Sequence, residues 1–310
     1  MDAYLVTGGA GFIGSNIVKS LLQREQRVLV LDNFSTGKRE NLFEFKENPY
    51  FELIEGDLRS FHTVRTAVKG IDYILHQGAL PSVPRSVHDP LTTNDVNILG
   101  TLNILEAAKE FGVKRVIYAS SSSIYGDNET LPKKEDMPVN PLSPYALSKY
   151  TGERYCQIFT RIYGLETVCL RYFNVFGPNQ DPTSQYSAVI PKFIRLMSEG
   201  KRPTIYGDGT QSRDFTYVTN TVSANLLACT AKGICGENFN IACGESYTLL
   251  ELVDALNRIL GTTIEPVFEE KRPGDVKHSF ADISRAEEKL GYKVTTRFEE
   301  GLRDLVRAVK

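Results

Sequence analysis

The sequence predicts an α/β fold built on a doubly wound parallel sheet. In the first half of the 310-residue chain, short runs of β-forming residues alternate with runs whose apolar residues recur at helical spacing. Strands that alternate with helices are expected to be parallel, because each helix carries the chain back across one face of the sheet. A glycine-rich segment between the first strand and the first helix is the second observation, since it allows a tight strand-to-helix turn.

The predicted elements divide the chain into two parts. Residues 1–176 should form the first domain, and the looser pattern of residues 177–310 predicts a smaller α/β substrate-binding lobe with some segments returning to the first domain. The runs of the first part are Ala3–Thr7, Phe12–Gln23, Val28–Leu31, Phe51–Ile54, Val64–Val68, Tyr73–Leu75, Leu91–Phe111, Val116–Ala119, Tyr145–Tyr163 and Thr167–Leu170. The helices of the second part are predicted at Val189–Ser198, Leu249–Leu260 and Phe298–Val309.

Composition narrows the classes of function. Hydrophobic residues make up 41% of the chain, and 36 Lys+Arg against 38 Asp+Glu leave a net charge of −2, so neither nucleic acid nor a membrane surface is an expected partner. The five cysteines form no C-x-x-C pair and have no histidine cluster at metal-ligand spacing, which predicts reduced thiols and no metal site. No export segment follows Met1 and no long apolar run occurs, so we expect a cytoplasmic protein.

The glycine-rich segment predicts a dinucleotide site. Gly8, Gly11 and Gly14 would let the chain turn tightly and bring bare backbone against a pyrophosphate at the N-terminus of the following helix. Asp32 ends the next strand about 20 residues further on, where a carboxylate would accept hydrogen bonds from ribose hydroxyls. That carboxylate favours NAD over NADP, although Lys38 and Arg39 lie close in sequence.

Asp57 and Leu58 follow the third predicted strand and admit two interpretations of equal weight. They could lie beside the adenine of the dinucleotide. Alternatively, Asp57 could be the N-cap of the next helix and accept hydrogen bonds from its first amides.

Tyr145 and Lys149 are the predicted catalytic pair. A Tyr-x-x-x-Lys spacing is expected about once by chance in such a chain, so its context has to support the prediction. Ser143 and Pro144 should start a helix, on which Lys149 would lie one turn beyond Tyr145 on the same face. A tyrosine base near neutral pH needs its pKa lowered by roughly 3 units, about 4 kcal/mol, which the Lys149 ammonium and an oxidised nicotinamide could supply.

The serine run that follows the strand Val116–Ala119 could complete this site. One of its hydroxyls would lie between the phenol of Tyr145 and a substrate oxygen. A solvated serine-rich turn is an equally good interpretation of Ser120, Ser121, Ser122 and Ser123 when the segment is taken alone.

These segments together resemble the extended short-chain dehydrogenase/reductase family over essentially the whole chain. The resemblance rests on residues 8–14, Asp32-Asn33, residues 121–126, residues 145–149 and residues 171–174, and it is strongest to UDP-sugar 4-epimerases, in particular those of UDP-N-acetylglucosamine. It implies a Rossmann-type fold, tightly bound NAD, a homodimer, and transient oxidation of the sugar at C4, with Ser121 relaying a hydrogen bond to Tyr145. The cofactor-binding residues it implies, besides Tyr145 and Lys149, are Gly8, Gly11, Phe12, Ile13, Gly14, Asp32, Asn33, Ser35, Thr36, Gly37, Asp57, Leu58, Gln77, Gly78, Ala79, Asn97 and Tyr172.

The chain departs from one branch of that family in the serine run. In related dehydratases and decarboxylases of nucleotide sugars, the positions after the catalytic hydroxyl carry a Glu or an Asp-Glu pair, whereas Ser122 and Ser123 stand there in this sequence. Elimination of water needs a carboxylic acid or base, so the departure favours epimerisation. A non-catalytic dinucleotide sensor is the alternative from another class, and the joint presence of Ser121, Tyr145 and Lys149 counts against it.

The resemblance also implies a binding site for a UDP-N-acetylhexosamine. Ser279 matches a gate position, where a small residue admits a 2-N-acetyl group and a bulky aromatic restricts entry to plain hexoses such as UDP-glucose. The segment 77–86 would pass beneath the nicotinamide and the sugar, although a surface loop is its alternative. The substrate-binding residues implied, besides Ser121 and Tyr145, are Ser82, Ser122, Ser123, Asn174, Ala188, Val189, Lys192, Arg213, Arg272, Asp275 and Ser279.

Overall fold

The computed structural model describes residues 1–181, 188–270 and 277–309. Within these ranges the strands are β1 (Ala3–Thr7), β2 (Arg27–Asp32), β3 (Phe51–Glu55), β4 (Tyr73–His76), β5 (Arg115–Ser121), β6 (Thr167–Tyr172), β7 (Val175–Phe176), β8 (Thr204–Tyr206), β9 (Ser212–Arg213), β10 (Thr216–Tyr217), β11 (Asn238–Ile241), β12 (Tyr247–Thr248), β13 (Val267–Glu269) and β14 (His278–Ser279). The α-helices are α1 (Phe12–Leu22), α2 (Phe61–Val68), α3 (Val83–His88), α4 (Pro90–Asn94), α5 (Gly100–Phe111), α6 (Pro144–Tyr163), α7 (Val189–Ser198), α8 (Val218–Thr230), α9 (Leu249–Leu260), α10 (Ser284–Leu290) and α11 (Phe298–Val309).

Seven parallel strands form the central sheet in the order β11-β6-β5-β4-β1-β2-β3. The order reverses between β1 and β4, so the connections leave these two strands toward opposite sides and open a crevice at their carboxyl ends. Helices α1 and α8 pack on one face of the sheet, and α2, α5 and α6 cover the other. The predicted doubly wound α/β class is therefore confirmed.

The central strands are buried on both faces, which explains their sequences. All five residues of β1 and all six of β6 are buried, and both strands are rich in apolar and β-branched residues. A strand covered by helices on both sides is expected to be apolar along its whole length rather than alternating.

One predicted helix is interrupted. The run Leu91–Phe111 is not a single α-helix, because α4 and α5 are joined by a π-helical turn at Asp95–Leu99. Such a turn inserts a residue into the helix and changes which side chains face inward. Here it buries the side chain of Asn97. The side-chain oxygen accepts a hydrogen bond from the backbone amide of Leu80 (2.8 Å), and the side-chain nitrogen donates one to the carbonyl oxygen of Leu80 (3.2 Å).

The later part of the chain contributes to both the sheet and the smaller lobe. Strand β11 pairs with β6 at one edge of the central sheet. The lobe has a core of its own, in which α7, α9 and α11 enclose an aromatic cluster that includes Phe176, Phe215 and Phe298.

Among the helices of the described ranges, none is long and apolar enough to span a bilayer. All five cysteines fall in those ranges, and each is a free thiol.

Candidate active site

A cavity of about 290 Å³ opens at the carboxyl ends of the central strands. Seventeen of the predicted cofactor-binding residues line it: Gly8, Gly11, Phe12, Ile13, Gly14, Asp32, Asn33, Ser35, Thr36, Asp57, Leu58, Gln77, Gly78, Ala79, Tyr145, Lys149 and Tyr172. Asn41, Val96 and Asn179, which the sequence analysis did not single out, line it as well, and so do Pro81 and Ser120 from the segments expected at the site. The cavity therefore brings the glycine turn and the Tyr-Lys pair into one site.

The glycines of the turn are required by close backbone approaches. Gly8 has a φ of +67°, and a Cβ there would lie 2.8 Å from the Cα of Gly78. A Cβ at Gly14 would overlap the carbonyl oxygen of Gly8. The turn thus presents bare backbone at the start of α1, which suits the pyrophosphate of a dinucleotide.

Asp32 has a structural role in addition to lining the cavity. Its carboxylate accepts hydrogen bonds from the amides of Ala10 (2.9 Å) and Phe34 (2.8 Å), which ties the glycine turn to the loop after β2. Burial raises the pKa of Asp32, while those two amides act in the opposite direction. A carboxylate has about four acceptor sites, so two remain for ribose hydroxyls.

Asp57 is not a helix N-cap, and that interpretation is wrong. Ser60 caps α2 by accepting from the amide of Thr63 at 3.3 Å. The Asp57 carboxylate instead accepts from Arg59 at 2.8 Å and from the Asn33 amide at 2.9 Å, and the Arg59 contacts lower its pKa to about 2. Asp57 therefore lies in the cavity wall as an anion beside Asn33.

Helix α6 presents Tyr145 from its first turn. Ser143 is the N-cap and accepts from the amide of Ala146 at 3.1 Å, and Pro144 starts the helix, as the sequence predicted. The pKa of Tyr145 is raised by burial, and a hydrogen bond from Ser121 acts against that shift. In the polypeptide alone burial therefore outweighs the other effects on this pKa, and the lowering expected with oxidised nicotinamide in place stays a prediction.

Lys149 lies one turn further along α6 and is also buried. Its ammonium donates to the carbonyl oxygen of Ala119 at 2.8 Å, and burial lowers its pKa to about 8. Below that pH it is a desolvated cation in the cavity wall. A buried cation of this kind acts strongly on a nearby ligand, because little water screens it.

The serine run is not a solvated turn. Ser120 is buried and donates to the carboxylate of Glu153 at 2.5 Å. Ser121 accepts from both the amide (3.2 Å) and the hydroxyl (2.9 Å) of Ser123, so its own proton is left to donate toward Tyr145. Ser122 and Ser123 begin the short 3₁₀ turn that follows.

Asn225 is a site residue that sequence reasoning missed. It lies in α8, and it bonds with two cavity-lining side chains: the hydroxyl of Tyr172 (2.8 Å) and the amide of Gln77 (3.0 Å). Asn225 is fully buried, so these bonds fix both side chains at the cavity wall. The only signal in the sequence was a polar residue within a predominantly apolar run, which does not by itself indicate a site.

Two predicted cofactor residues do not line the cavity. A Cβ at Gly37 would lie 2.8 Å from the Ala10 carbonyl carbon, so this glycine allows a close backbone approach behind the wall. Asn97 is buried and donates to Ser148 at 3.0 Å.

The segment after β4 is not a surface loop, because Gln77, Gly78, Ala79 and Pro81 line the cavity. Ser82, which follows them, is the N-cap of α3 and has a φ of +93°.

Three predicted substrate residues lie close together in the lobe. Arg213 in β9 is paired in register with Ser279 in β14, and the Asn174 amide donates to the Asp214 carbonyl oxygen at 3.1 Å. Ala188 and Val189 start α7, and Lys192 is exposed on it. Arg272 and Asp275 lie outside the described residues.

Within the described ranges, no three His, Cys, Asp or Glu side chains cluster as a metal site would require.

Comparisons with known proteins identify the family. The profile of the NAD dependent epimerase/dehydratase family matches residues 4–242. A UDP-N-acetylglucosamine 4-epimerase from Methanobrevibacter ruminantium M1, solved with UDP-N-acetylmuramic acid, is 43% identical with a TM-score of 0.95, covering 99% of this chain and 97% of that one. The Thermus thermophilus UDP-glucose 4-epimerase, solved with NAD, is 37% identical with a TM-score of 0.88, covering 98% of each chain.

A putative UDP-glucose 4-epimerase from Methanocaldococcus jannaschii is 40% identical over 308 residues, which are 99% of this chain and 98% of the relative. The chain therefore belongs to the NAD dependent epimerase/dehydratase family, and its dinucleotide is NAD. The cavity fits this cofactor, because the bare glycine turn, the carboxylate of Asp32 and the buried Lys149 all line it. The resemblance seen in the sequence is thereby confirmed at the level of the family.

Proposed function

We propose that this protein interconverts UDP-N-acetylglucosamine and UDP-N-acetylgalactosamine by inverting C4 of the sugar. When bound, NAD supplies an acceptor that takes a hydride from C4 and returns it to the other face of the ring. Tyr145 takes the proton of the C4 hydroxyl and gives it back, and Ser121 donates a hydrogen bond to the phenol oxygen. The substrate leaves with no net change in oxidation state.

The observation that carries this proposal is the set of groups around Tyr145. Ser121 acts on the pKa of the Tyr145 phenol and accepts a hydrogen bond from Ser123, while Lys149 lines the same cavity as Tyr145 and Ser120, so this end of the site offers hydroxyls and one cation. The carboxylates among the lining residues are Asp32, Asp57 and Asp181. Asp32 ends β2 and Asp57 follows β3, at the predicted adenosine end. In the described part of the chain, the side chain that acts on the Tyr145 phenol is the hydroxyl of Ser121 rather than a carboxylate. This supports oxidation and reduction of an alcohol rather than elimination of water.

The pKa of Tyr145 constrains how this site works. Burial raises it in the polypeptide, so the ligands must supply the lowering that a base requires. The positive charge of oxidised nicotinamide would act in that direction, as would the Lys149 ammonium at pH values below about 8. Tyr145 thus becomes a base only when the cofactor is in place, which protects the sugar from proton loss without oxidation.

The choice of substrate rests on Ser279 and on the relatives. UDP-sugar 4-epimerisation is supported by the names of all three relatives described above, of which one is a UDP-N-acetylglucosamine enzyme and two are UDP-glucose enzymes. Ser279 is half-buried on β14, paired with Arg213. Its small side chain leaves room for a 2-N-acetyl group. UDP-glucose epimerisation is the second candidate, because two of the three relatives are named as UDP-glucose 4-epimerases.

Direct assay of the purified protein tests the proposal. We expect interconversion of UDP-N-acetylglucosamine and UDP-N-acetylgalactosamine by wild type, and a loss of at least about 100-fold in kcat for Tyr145→Phe, since a positioned acid–base group contributes 10²–10⁴-fold. The Ser279→Tyr variant should lose at least tenfold in kcat/KM for the N-acetyl sugars while keeping its activity on UDP-glucose. Wild type that acts on UDP-glucose alone would contradict the assignment of the substrate.

We also propose that the protein is cytoplasmic and a homodimer. The homodimer is supported by apolar side chains that α3, α4 and α6 expose. Val87, Leu91, Leu147, Ile158 and Ile162 are exposed on these helices, which pack against one another. Exposed apolar side chains on helices that pack together are typical of an interaction surface. The surface lies on the opposite side of α6 from buried Lys149, so a partner there would not close the cavity.

A further inference from the structure

Asp214 is a fully buried carboxylate between β9 and β10 that belongs to none of the groups described so far. Its oxygens accept three backbone amides: Cys243 at 2.9 Å, Gly244 at 3.0 Å and Ala281 at 3.3 Å. The first two amides follow β11, and the third follows β14. One side chain therefore joins three separate segments of the chain.

The backbone of the same residue adds two further bonds. The amide of Asp214 donates to the carbonyl oxygen of Ser279 at 2.8 Å, and its carbonyl oxygen accepts from the side chain of Asn174 at 3.1 Å. Asn174 has a φ of +34°, a conformation that a non-glycine residue holds only when its surroundings impose it. Arg213 is the preceding residue. Asp214 thus touches or adjoins three of the predicted substrate residues.

We infer that Asp214 is a positioning residue that holds Asn174, Arg213 and Ser279 in the arrangement required to bind the sugar nucleotide. The inference rests on the proposed function, because it takes those three residues to be the substrate contacts. Asp214 acts through its neighbours and not on the reacting atoms. Its loss should therefore weaken binding of the sugar nucleotide and leave NAD binding intact, since the glycine turn and Asp32 lie in other segments.

The charge of Asp214 is sensitive to pH near neutrality. Burial raises its pKa to about 7, while the three amides act in the opposite direction. A protonated carboxyl group has an O–H in place of one acceptor site, so its hold on the three amides weakens as the pH falls through that value. The titratable side chains that face it or adjoin it in sequence are Arg213, Cys243, Tyr247, His278 and Tyr292.

Those neighbours add little to the charge around the carboxylate. The pKa values of Cys243, Tyr247 and Tyr292 are all raised, so the three are neutral near pH 7. Arg213 donates to the carbonyl oxygens of Ser212 and Lys277. His278 is bonded to Ser212 through Nδ1 at 2.9 Å. A variant that lacks the His278 imidazole separates any contribution of this residue by experiment.

Calorimetric titration of the NAD-loaded enzyme with UDP-N-acetylglucosamine between about pH 5.5 and 8.5, either side of the Asp214 pKa, tests the inference. For wild type, we expect the Kd to rise at least fivefold as the pH falls from about 8 to 6. Asp214→Asn should bind at least fivefold more weakly at about pH 8, with a Kd that no longer depends on pH and an unchanged NAD content. His278→Gln should keep the pH dependence of wild type.

Several other outcomes would overturn the inference about Asp214. A wild-type Kd that does not change with pH, or an Asp214→Asn variant with wild-type affinity, overturns the inference, as does a His278→Gln variant that loses the pH dependence. The wild-type measurement stands even if Asp214→Asn does not fold. If the wild type bound no sugar nucleotide at any pH, the proposed function would be wrong as well. If the wild type bound it and Asp214→Asn bound it equally well, only the inference about Asp214 would be wrong.

Discussion

At the scale of single residues, Lys149 shows how function costs stability. In the folded protein its pKa is about 8, against about 10.5 in an unfolded chain. The buried ammonium therefore destabilises the folded state fully below about pH 8, and the penalty disappears as the pH rises from about 8 to 10.5. The proposed function gives a reason for this cost, because it requires a cation at the site.

We therefore expect Lys149→Met to stabilise the NAD-free protein while abolishing turnover. At about pH 7 the free energy of unfolding should rise by roughly 1–3 kcal/mol, because the desolvated charge is gone, and the gain should shrink at about pH 9.5. Urea unfolding at both pH values measures this. Lys69→Met, at an exposed lysine, is the matched control and should change stability by less than about 0.5 kcal/mol. A less stable Lys149→Met protein would contradict the argument.

The positions of the glycine turn and of Tyr145 were predictable here, but their environment was not. The order of strand, glycines and helix predicted the turn, and the context of Tyr145 predicted its place at the start of a helix. Their roles in binding and catalysis stay predictions. The polypeptide alone raises the Tyr145 pKa through burial, which the sequence does not reveal, and the lowering expected when oxidised nicotinamide is bound stays a prediction. Asp57 was ambiguous for a similar reason, since the residue that caps α2 depends on where that helix begins, and the structure places this start at Phe61, directly after Ser60.

At the scale of elements, the first turn of α6 carries both a helix cap and the proposed base, Tyr145. Ser143 accepts from the amide of Ala146, and Tyr145 lies between these two residues. Loss of that bond should fray the turn that carries the phenol. A cap of this kind contributes about 1 kcal/mol.

We expect Ser143→Ala to cost about 1 kcal/mol of stability and to reduce kcat severalfold, because the phenol is held less firmly. Thr248→Ala is the matched control, since Thr248 caps α9 in the lobe through the amide of Glu251 at 3.1 Å. It should lose similar stability and keep its kcat. Chemical unfolding and steady-state kinetics on both variants check this, and equal kcat values for the two would show that the cap has no special role.

The elements that the sequence predicted best are those with one apolar face. The bounds of α7, α9 and α11 were predicted correctly, because each has apolar residues on one side only. Helix α8 was missed, since its apolar and small polar residues do not segregate and much of it is buried. The π turn at Asp95–Leu99 was missed because it depends on the packing of Asn97 against Leu80.

At the scale of the whole molecule, the order of the strands explains where the site lies. The reversal between β1 and β4 opens the crevice that the glycine turn and the segment after β4 line. Strand β11 and helix α8 come from the second half of the chain and pack on the first. Asn225 therefore reaches Tyr172 and Gln77, which couples the later segments to the cavity wall.

The apolar surface of α3, α4 and α6 carries the last prediction, which concerns assembly. Leu91 is 78% exposed and Ile162 is 65% exposed, and exposure of such side chains is unfavourable in a monomer. In light scattering, we expect wild type to have about twice the mass of the 34.7 kDa chain. The double variant Leu91→Glu, Ile162→Glu should be monomeric, because a carboxylate that is buried without a partner disrupts an apolar interface. Phe268→Glu, at an exposed aromatic of β13, should remain dimeric. Since α6 also carries Tyr145, the monomer should retain NAD but lose part of its kcat, and a fully active monomer would show that the site does not depend on the partner.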